Sequence, residues 1–483
     1  MQSRRDQVQA QSYLQGRLTA ALVSAEPEAP TNPNRRTVTG TVVGILVGTL
    51  IVAGFAIAGF LKPGGATAWR QPGVVVLEKE TGSRYVLIAG QLRPVLNYAS
   101  AMLLFGRTPK LVSVSRASLA GVPHGQPVGI VGAPDSLPRG AMAATAWTVC
   151  VAPEAATLLS VDPAALLPVG PAAQMPSGVG PAAQVPSGVG PAAQMPGALD
   201  DGHAMVAAAP GSVFLVWQGH RLRLTKPWLL KVFGYDRSVV KVPAGWLDVL
   251  PAGPDLGPVA VPGTGEPGQV VGGRQARVGE LFVAQVAGLA QRYFQLRRDG
   301  LSELTGTGFA IASGDPDTAR AYPGDAVVPV ALSPADLARL ARSGAPAGPA
   351  GLPSTPPALA TPSGAGLWCV RQSIADGRVS VCFTDPGPAP VVPAGLGVTA
   401  NRRTATAVKV RPGLGGLVRA GRLDQAPGSS YFLVTDAGVK YPLGSPAVAA
   451  LLGYPPRDAA TVPANLLDLL PTGPLLDPAR VGG

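Results

Sequence analysis

The longest apolar run in the chain is TVTGTVVGILVGTLIVAGFAIAGFL, from Thr37 to Leu61, with no charge between Arg36 and Lys62. A helix rising 1.5 Å per residue needs about 20 such residues to cross a ~30 Å hydrocarbon core, so the spacing predicts one transmembrane helix over 37–61. Ahead of it, Leu14, Leu18, Ala21 and Leu22 recur at helical spacing, with Arg4, Arg5, Gln7, Gln11 and Arg17 elsewhere. That pattern predicts a short amphipathic helix, followed by the Pro-rich linker PEAPTNPN. The helix reads either as a docking element for a partner or the inner leaflet, or as a solvated basic flank.

Beyond the span the period changes to short β-like runs, and one unit recurs. Phe214 to Trp217, the turn Gln218-Gly219 and Arg221 to Leu224 lead into Pro227 to Phe233 and stop at Gly234-Tyr235. Tyr431 to Val434, a turn at Asp436 to Gly438 and Val439 to Leu443 lead into Pro446 to Leu452 and stop at Gly453-Tyr454. The tails VPAGWLDVLPAGPDLGP from Val242 and VPANLLDLLPTGPLLDP from Val462 also match, offset by 220 residues. A further copy begins near Tyr85, and a more degenerate one near Tyr293. Each unit reads as a hairpin followed by a two-turn helix that a glycine caps. The expected fold is α+β: four such repeats (84–140, 211–262, 290–340 and 430–478) around a central, mainly β domain built from 141–160, 264–289 and 366–422. A decamer, GPAAQMPSGV, repeats from Gly170 and marks 169–197 as a low-complexity insertion, while 343–365 reads as a Pro/Gly-rich linker.

Charge orients the span. The first 36 residues carry Arg4, Arg5, Arg17, Arg35 and Arg36, and basic residues in short flanks stay cytoplasmic. The expectation is a cytoplasmic N-terminus, with 62–483 outside. Ala66-Thr67-Ala68 resembles a signal-peptidase site, but the basic leader and the apolar run are both longer than a signal peptide's. Within the span, Gly40, Gly44 and Gly48 make GxxxGxxxG, a candidate face for close helix packing. The formal net charge of +11 is scattered singly, without the basic stripe and interleaved aromatics of a nucleic-acid surface. A surface facing anionic wall polymers or lipid headgroups fits it better.

Three cysteines, Cys150, Cys369 and Cys382, lie on the expected external side, where disulfides persist. Asp376-Gly377 reads as a two-residue hairpin turn. It would set Cys369 opposite Thr384 and only diagonal to Cys382, about 7 to 8 Å away. Cys150 is then the better partner for one of the two, and three reduced thiols is the alternative. No Gly-Lys-Ser/Thr, GxSxG or HExxH occurs, so the usual signatures of a phosphate loop, a nucleophile elbow or a zincin are missing. His124, His203 and His220 have no metal-ligand spacing. Asp248 and Asp468 recur at one repeat position, where a cap or turn role outweighs a catalytic pair. The expectation is a chain with no catalytic residue, cofactor or metal.

With those pieces placed, the chain resembles the EccB family of type VII (ESX) secretion systems of actinobacteria. The resemblance rests on SRRDQVQAQSYLQGRLTAAL at the start, the span after a basic linker, Leu92 to Ala101, Gly132 to Pro138, Thr435 to Pro442 and Leu469 to Pro474. It implies a non-enzymatic scaffold in the inner-membrane secretion complex, beside EccC, EccD and EccE, supporting export of small WXG-type proteins. It also implies an external region that self-associates and could contact peptidoglycan, and a central-domain disulfide falling on Cys150 and Cys369, with Cys382 left unassigned. A membrane-anchored wall-binding repeat protein is the alternative, and a nucleotide hydrolase a third reading.

Overall fold

The computed structural model describes residues 4–25, 34–61, 67–151, 157–163, 198–285, 290–324, 326–346, 348–362, 366–387, 395–422 and 428–482. The decamer insertion and the PEAPTNP part of the first linker lie outside them. The chain divides into two compact units, residues 1–93 with 110–125, and residues 94–109 with 126–483.

The first unit opens with two helices, α1 (Arg4–Ser24) and α2 (Asn34–Leu61). The stretch Thr37–Ile57 of α2 has mean hydropathy 2.3 and is not buried by any of the described residues. Leu14, Leu18 and Leu22 of α1 are exposed as well. A meander follows: β1 (Val74–Glu78), β2 (Arg84–Ile88) and β3 (Gln91–Pro94). β4 (Lys110–Val114) then returns parallel to β1, and the sheet order is β3-β2-β1-β4. Trp69, Val74, Val76, Leu92 and Val114 pack one side of it, together with Leu119 of α4 (Arg116–Leu119). Buried Glu78 accepts from Thr81 Oγ1 (2.6 Å) and Arg116 Nε (2.7 Å), and these hydrogen bonds hold its carboxyl below the usual range.

The second unit contains α3 (Tyr98–Phe105), which begins where Asn97 accepts from Ser100 N and ends on Gly106 at φ 64°. Asn97 takes up one of the free N–H groups of the first turn, and Gly106 supplies the left-handed residue that closes the last. Next come β5 (Thr145–Val151) and β6 (Thr157–Pro163), then β7 (His203–Ala209), β8 (Ser212–Trp217), β9 (His220–Arg223), α5 (Leu229–Val232), β10 (Val239–Lys241) and α6 (Ala244–Val249). β7 to β10 repeat the sheet of the first unit: a three-strand meander, with the fourth strand returning parallel to the first. A hairpin of β11 (Pro267–Val271) and β12 (Arg274–Arg277) leads to the third copy: β13 (Leu281–Ala284), β14 (Arg292–Arg297), β15 (Gly300–Leu304), α7 (Gly306–Gly314), β16 (Val330–Leu332) and α8 (Pro334–Arg339). After β17 (Ala358–Leu359), β18 (Leu367–Ser373), β19 (Val379–Thr384) and β20 (Ala407–Val410), the fourth copy is β21 (Gly416–Gly421), β22 (Tyr431–Val434), β23 (Lys440–Pro442), α9 (Pro446–Leu451), β24 (Ala460–Pro463) and α10 (Ala464–Leu467).

The repeat is therefore larger than a hairpin and one helix. Each copy adds a strand before the hairpin and a parallel strand plus a short helix after it. This corrects the expected extent of the central domain, because 264–289 and 366–422 supply β13 and β21, which are first strands of repeats three and four. The reason is the crossover: after the helix the chain returns alongside that first strand, which therefore pairs on both edges within its own repeat. The central sheet is β19-β18-β5-β6-β20.

The expected linker 343–365 is also corrected. β17 adds parallel to β7, Ala358 N donates to Gly202 O and Ala360 N to Ala204 O, and Tyr235 Oη donates to Pro357 O at 2.6 Å. β10 pairs only with Val206 to Ala208 of β7, which leaves His203 and Ala204 on the same side open for β17.

Repeats meet through helices. α3 packs on α9, with the Gly106 Cβ position 3.5 Å from Leu451 Cδ2. α5 packs on α7, and α6 on α10. The last pair lies on the central sheet, where Trp246, Leu247, Leu466 and Leu467 join Trp147, Val149, Leu159, Val161, Val370 and Val381 in one core.

Candidate functional site

The cysteines converge on the central sheet. Cys150 of β5 and Cys369 of β18 are direct partners with Cα atoms 4.0 Å apart, and they form a disulfide spanning 219 residues of sequence. Such a bridge stabilises chiefly by removing conformations from the unfolded chain. Cys382 of β19 is a buried free thiol.

Its position corrects the expected hairpin register. Cys369 lies directly opposite Cys382, not diagonal to it. The pair Ser373–Arg378 closes a loop of four residues, through Ser373 N to Arg378 O (2.9 Å), because Ile374 N is taken by Thr145 O of β5. Only Gly377 adopts positive φ (70°), with Asp376 Oδ1 accepting from Arg378 N. A two-residue type I′ turn needs positive φ at both central positions, and Asp376 does not supply it.

Asp248 lies in the last turn of α6 and Asp468 is the C-cap of α10, so the cap role falls at the C-terminal end. They close the ends of α6 and α10 and meet a base from the hairpin of the same repeat. Arg221 Nη1 reaches Leu247 O (3.0 Å) and Asp248 Oδ1 (2.9 Å). Lys440 Nζ reaches Leu467 O (2.6 Å) and lies 3.7 Å from Asp468 Oδ1. Lys440 is buried, and desolvation lowers its pKa against the pull of Asp468. Sequence reading missed Arg221 and Lys440, which stand 219 residues apart just as the hairpins do; aligning the copies brings them together.

The histidines sit apart, all exposed. His124 meets the edge of Tyr85, His203 Nδ1 lies 2.7 Å from Asp200, and His220 Nδ1 is within 2.9 Å of Gln218 O. Among the described residues, no group of three His, Cys, Asp or Glu side chains is placed to hold a metal. A cavity of about 250 Å³ lies between repeats two and three, lined by Pro258, Val259, Gln295, Ile311, Asp315 and Leu352 among others. Around Gly40, Gly44 and Gly48, a Cβ would meet nothing within 4 Å.

The family model described as "Type VII secretion system ESX-1, transport TM domain B" matches residues 1–481. The "ESX-1 secretion system ATPase EccB1" of Mycobacterium tuberculosis is 25% identical over 480 residues, covering 97% of this chain and 92% of that one. Among solved structures, the periplasmic assembly from the ESX-5 inner membrane complex superposes with a TM-score of 0.63 at 23% identity, covering 86% of this chain and 97% of that one. The EccB3 dimer from the ESX-3 core complex gives 0.59 at 25% identity, covering 85% and 99%.

Proposed function

The chain belongs to the EccB family of type VII secretion membrane components, and from that premise we propose that it is a framework subunit of such a complex and performs no chemistry of its own. The observation that carries this reading is how the polar groups of the repeat are used. The bases and carboxylates that recur between copies, Arg221 with Asp248 and Lys440 with Asp468, tie hairpin to helix within a repeat, and the helices then tie repeat to repeat.

α2 anchors the chain, with its basic leader in the cytoplasm and the repeats and central sheet outside, where the disulfide survives. EccC, EccD and EccE are the proposed membrane neighbours. A second copy of this chain pairs with it externally, in keeping with the dimer its EccB3 relative forms. Gly40, Gly44 and Gly48 present the small-residue face along which α2 packs on another helix. Contact of the repeats with peptidoglycan is a secondary role, supported by the chain's surplus of positive charge.

The competing reading, nucleotide hydrolysis, is carried in the name of the EccB1 relative. Against it stands the absence of a Gly-Lys-Ser/Thr phosphate loop from the sequence. Deleting the gene and following WXG-type proteins into the medium tests the framework reading: export should stop, and undiminished export removes it. Phosphate release from ATP that tracks this chain through purification would favour the hydrolase instead.

A further inference from the structure

Three cysteines stand in one row across three adjacent strands: Cys382 on the edge strand β19, Cys369 on β18 and Cys150 on β5. Direct partners in a sheet point to the same face, so the three sulfurs share it. The row packs with Leu158 and Leu367, on the side away from the Trp147 core.

The two neighbours of Cys369 differ. Ser373 N donates to Arg378 O, and by alternation Cys369 and Cys382 are also a hydrogen-bonded pair. Ile374 N donates to Thr145 O, which makes Cys369 and Cys150 a pair without hydrogen bonds, where side chains lie closer. Backbones in a hydrogen-bonded pair stand about 5.5 Å apart, inside the range a disulfide spans. Cys369 can therefore be bonded on either side, with the Cys150 side preferred.

We propose that Cys150, Cys369 and Cys382 form an intramolecular thiol–disulfide exchange centre that moves the cross-link from β5–β18 to β18–β19. Cys382 gives its proton to water or hydroxide, and the thiolate attacks Cys369 Sγ. The Cys369–Cys382 bond forms as the Cys150–Cys369 bond breaks. Cys150 leaves as a thiolate and takes up a proton. One disulfide and one thiol exist before and after, so no oxidant or reductant is consumed. Attack falls on Cys369 because Cys150 lies a further strand away, and the leaving sulfur stands on the side opposite the nucleophile.

Exchange replaces a bridge spanning 219 residues with one that closes a 13-residue span, from 369 to 382. The hairpin β18–β19 stays fastened, while β5 is then held to β18 by hydrogen bonds and packing alone. The fold keeps the exchange slow. Burial pushes the Cys382 thiol up to about 11, against a smaller opposing pull from Arg371 of β18. Arg371 lies between Thr148 of β5 on one side and Ser380 of β19 on the other, and Asp162 of β6 lies opposite Ala146. Ala198 bridges to Cys382, and Leu199 N donates to Val381 O, covering the outer edge of β19.

The test uses the full chain purified in detergent without added thiol or oxidant, held at pH 6, 7 and 8. Samples are quenched in acid, alkylated and mapped by mass spectrometry of a non-reduced digest. The expected result is that a minor share of the label passes from Cys382 to Cys150 as a Cys369–Cys382 peptide appears, and that this share is reached about tenfold faster per pH unit and independently of protein concentration. C382A should show no label on Cys150 at any pH. Label that stays entirely on Cys382 through a day at pH 8 overturns the proposal, as does exchange whose rate scales with concentration. In a second arm, C150S treated with oxidised glutathione should close the Cys369–Cys382 bridge. Two separate glutathione adducts instead would show that the pair cannot be joined.

Discussion

Asn465 of α10 donates through Nδ2 to the backbone carbonyl of Asp248 at the end of α6, a bond between residues 217 apart that joins repeats two and four. The repeat position of Asn465 is filled in the other copy by Gly245, whose Cβ would come 3.3 Å from Leu469 Cδ2. One partner contributes an amide and the other contributes room. Asn465→Ala should cost about 1 kcal/mol, the net worth of such a bond. Gly245→Val should cost about 1 to 3 kcal/mol by overpacking. Urea unfolding of both variants checks the order, and a neutral Gly245→Val would disprove close packing there.

The junction between repeats two and three makes a similar claim with competing terms. Gly314 lies in α7, where alanine gains up to about 1 kcal/mol in helix propensity. A Cβ there would stand 2.3 Å from Val232 Cγ2 and 3.2 Å from the Trp228 ring. Overpacking, about 1 to 3 kcal/mol, should win, so Gly314→Ala is expected to lower the unfolding midpoint. A rise would mean that α5 and α7 give way easily.

Tyr235 gives the fold a pH dependence with a defined sign. Burial raises its phenol from 10.0 to about 12 while Oη donates to Pro357 O. Between those values the folded state holds a proton that the unfolded state has lost, so this contribution is complete below pH 10 and is lost as pH rises toward 12. Tyr235→Phe should flatten that part of the stability curve and cost about 1 kcal/mol at neutral pH for the lost hydrogen bond. Parallel curves for both proteins between pH 9 and 11 would count against the assignment.

The Cys150–Cys369 bridge closes a long loop, and removing a bridge of this kind costs about 2 to 5 kcal/mol. Cys150→Ser should lower the denaturant midpoint of the unreduced protein to near that of the reduced parent. If reductant leaves the parent's midpoint unmoved, the bridge carries no stability.

The span and the repeats were legible because each has a local signature: an uncharged run from Thr37 to Leu61, and the matched tails at Val242 and Val462. The glycines Gly234 and Gly453, at φ 72° and 83°, were legible as helix ends for the same reason. The first strand of each copy was not. β13 and β21 look like any short apolar run, and only the parallel return of β16 and β24 assigns them to their repeats. The turn at Asp376-Gly377 misled because Ile374 is claimed by β5, a partner more than 200 residues away, and that contact sets the register of the cysteines. Arg221 and Lys440 escaped because a surface-like base in a short strand gives no hint of the carbonyl it will meet across the repeat.

The central claim, a membrane-anchored framework held among other secretion subunits, is tested most directly by solubilising membranes in mild detergent and identifying what elutes with the tagged full chain. EccC, EccD and EccE should co-elute with it in fixed proportion, together with a second, untagged copy. Elution of the chain alone, from membranes in which those three still travel together, would contradict the account.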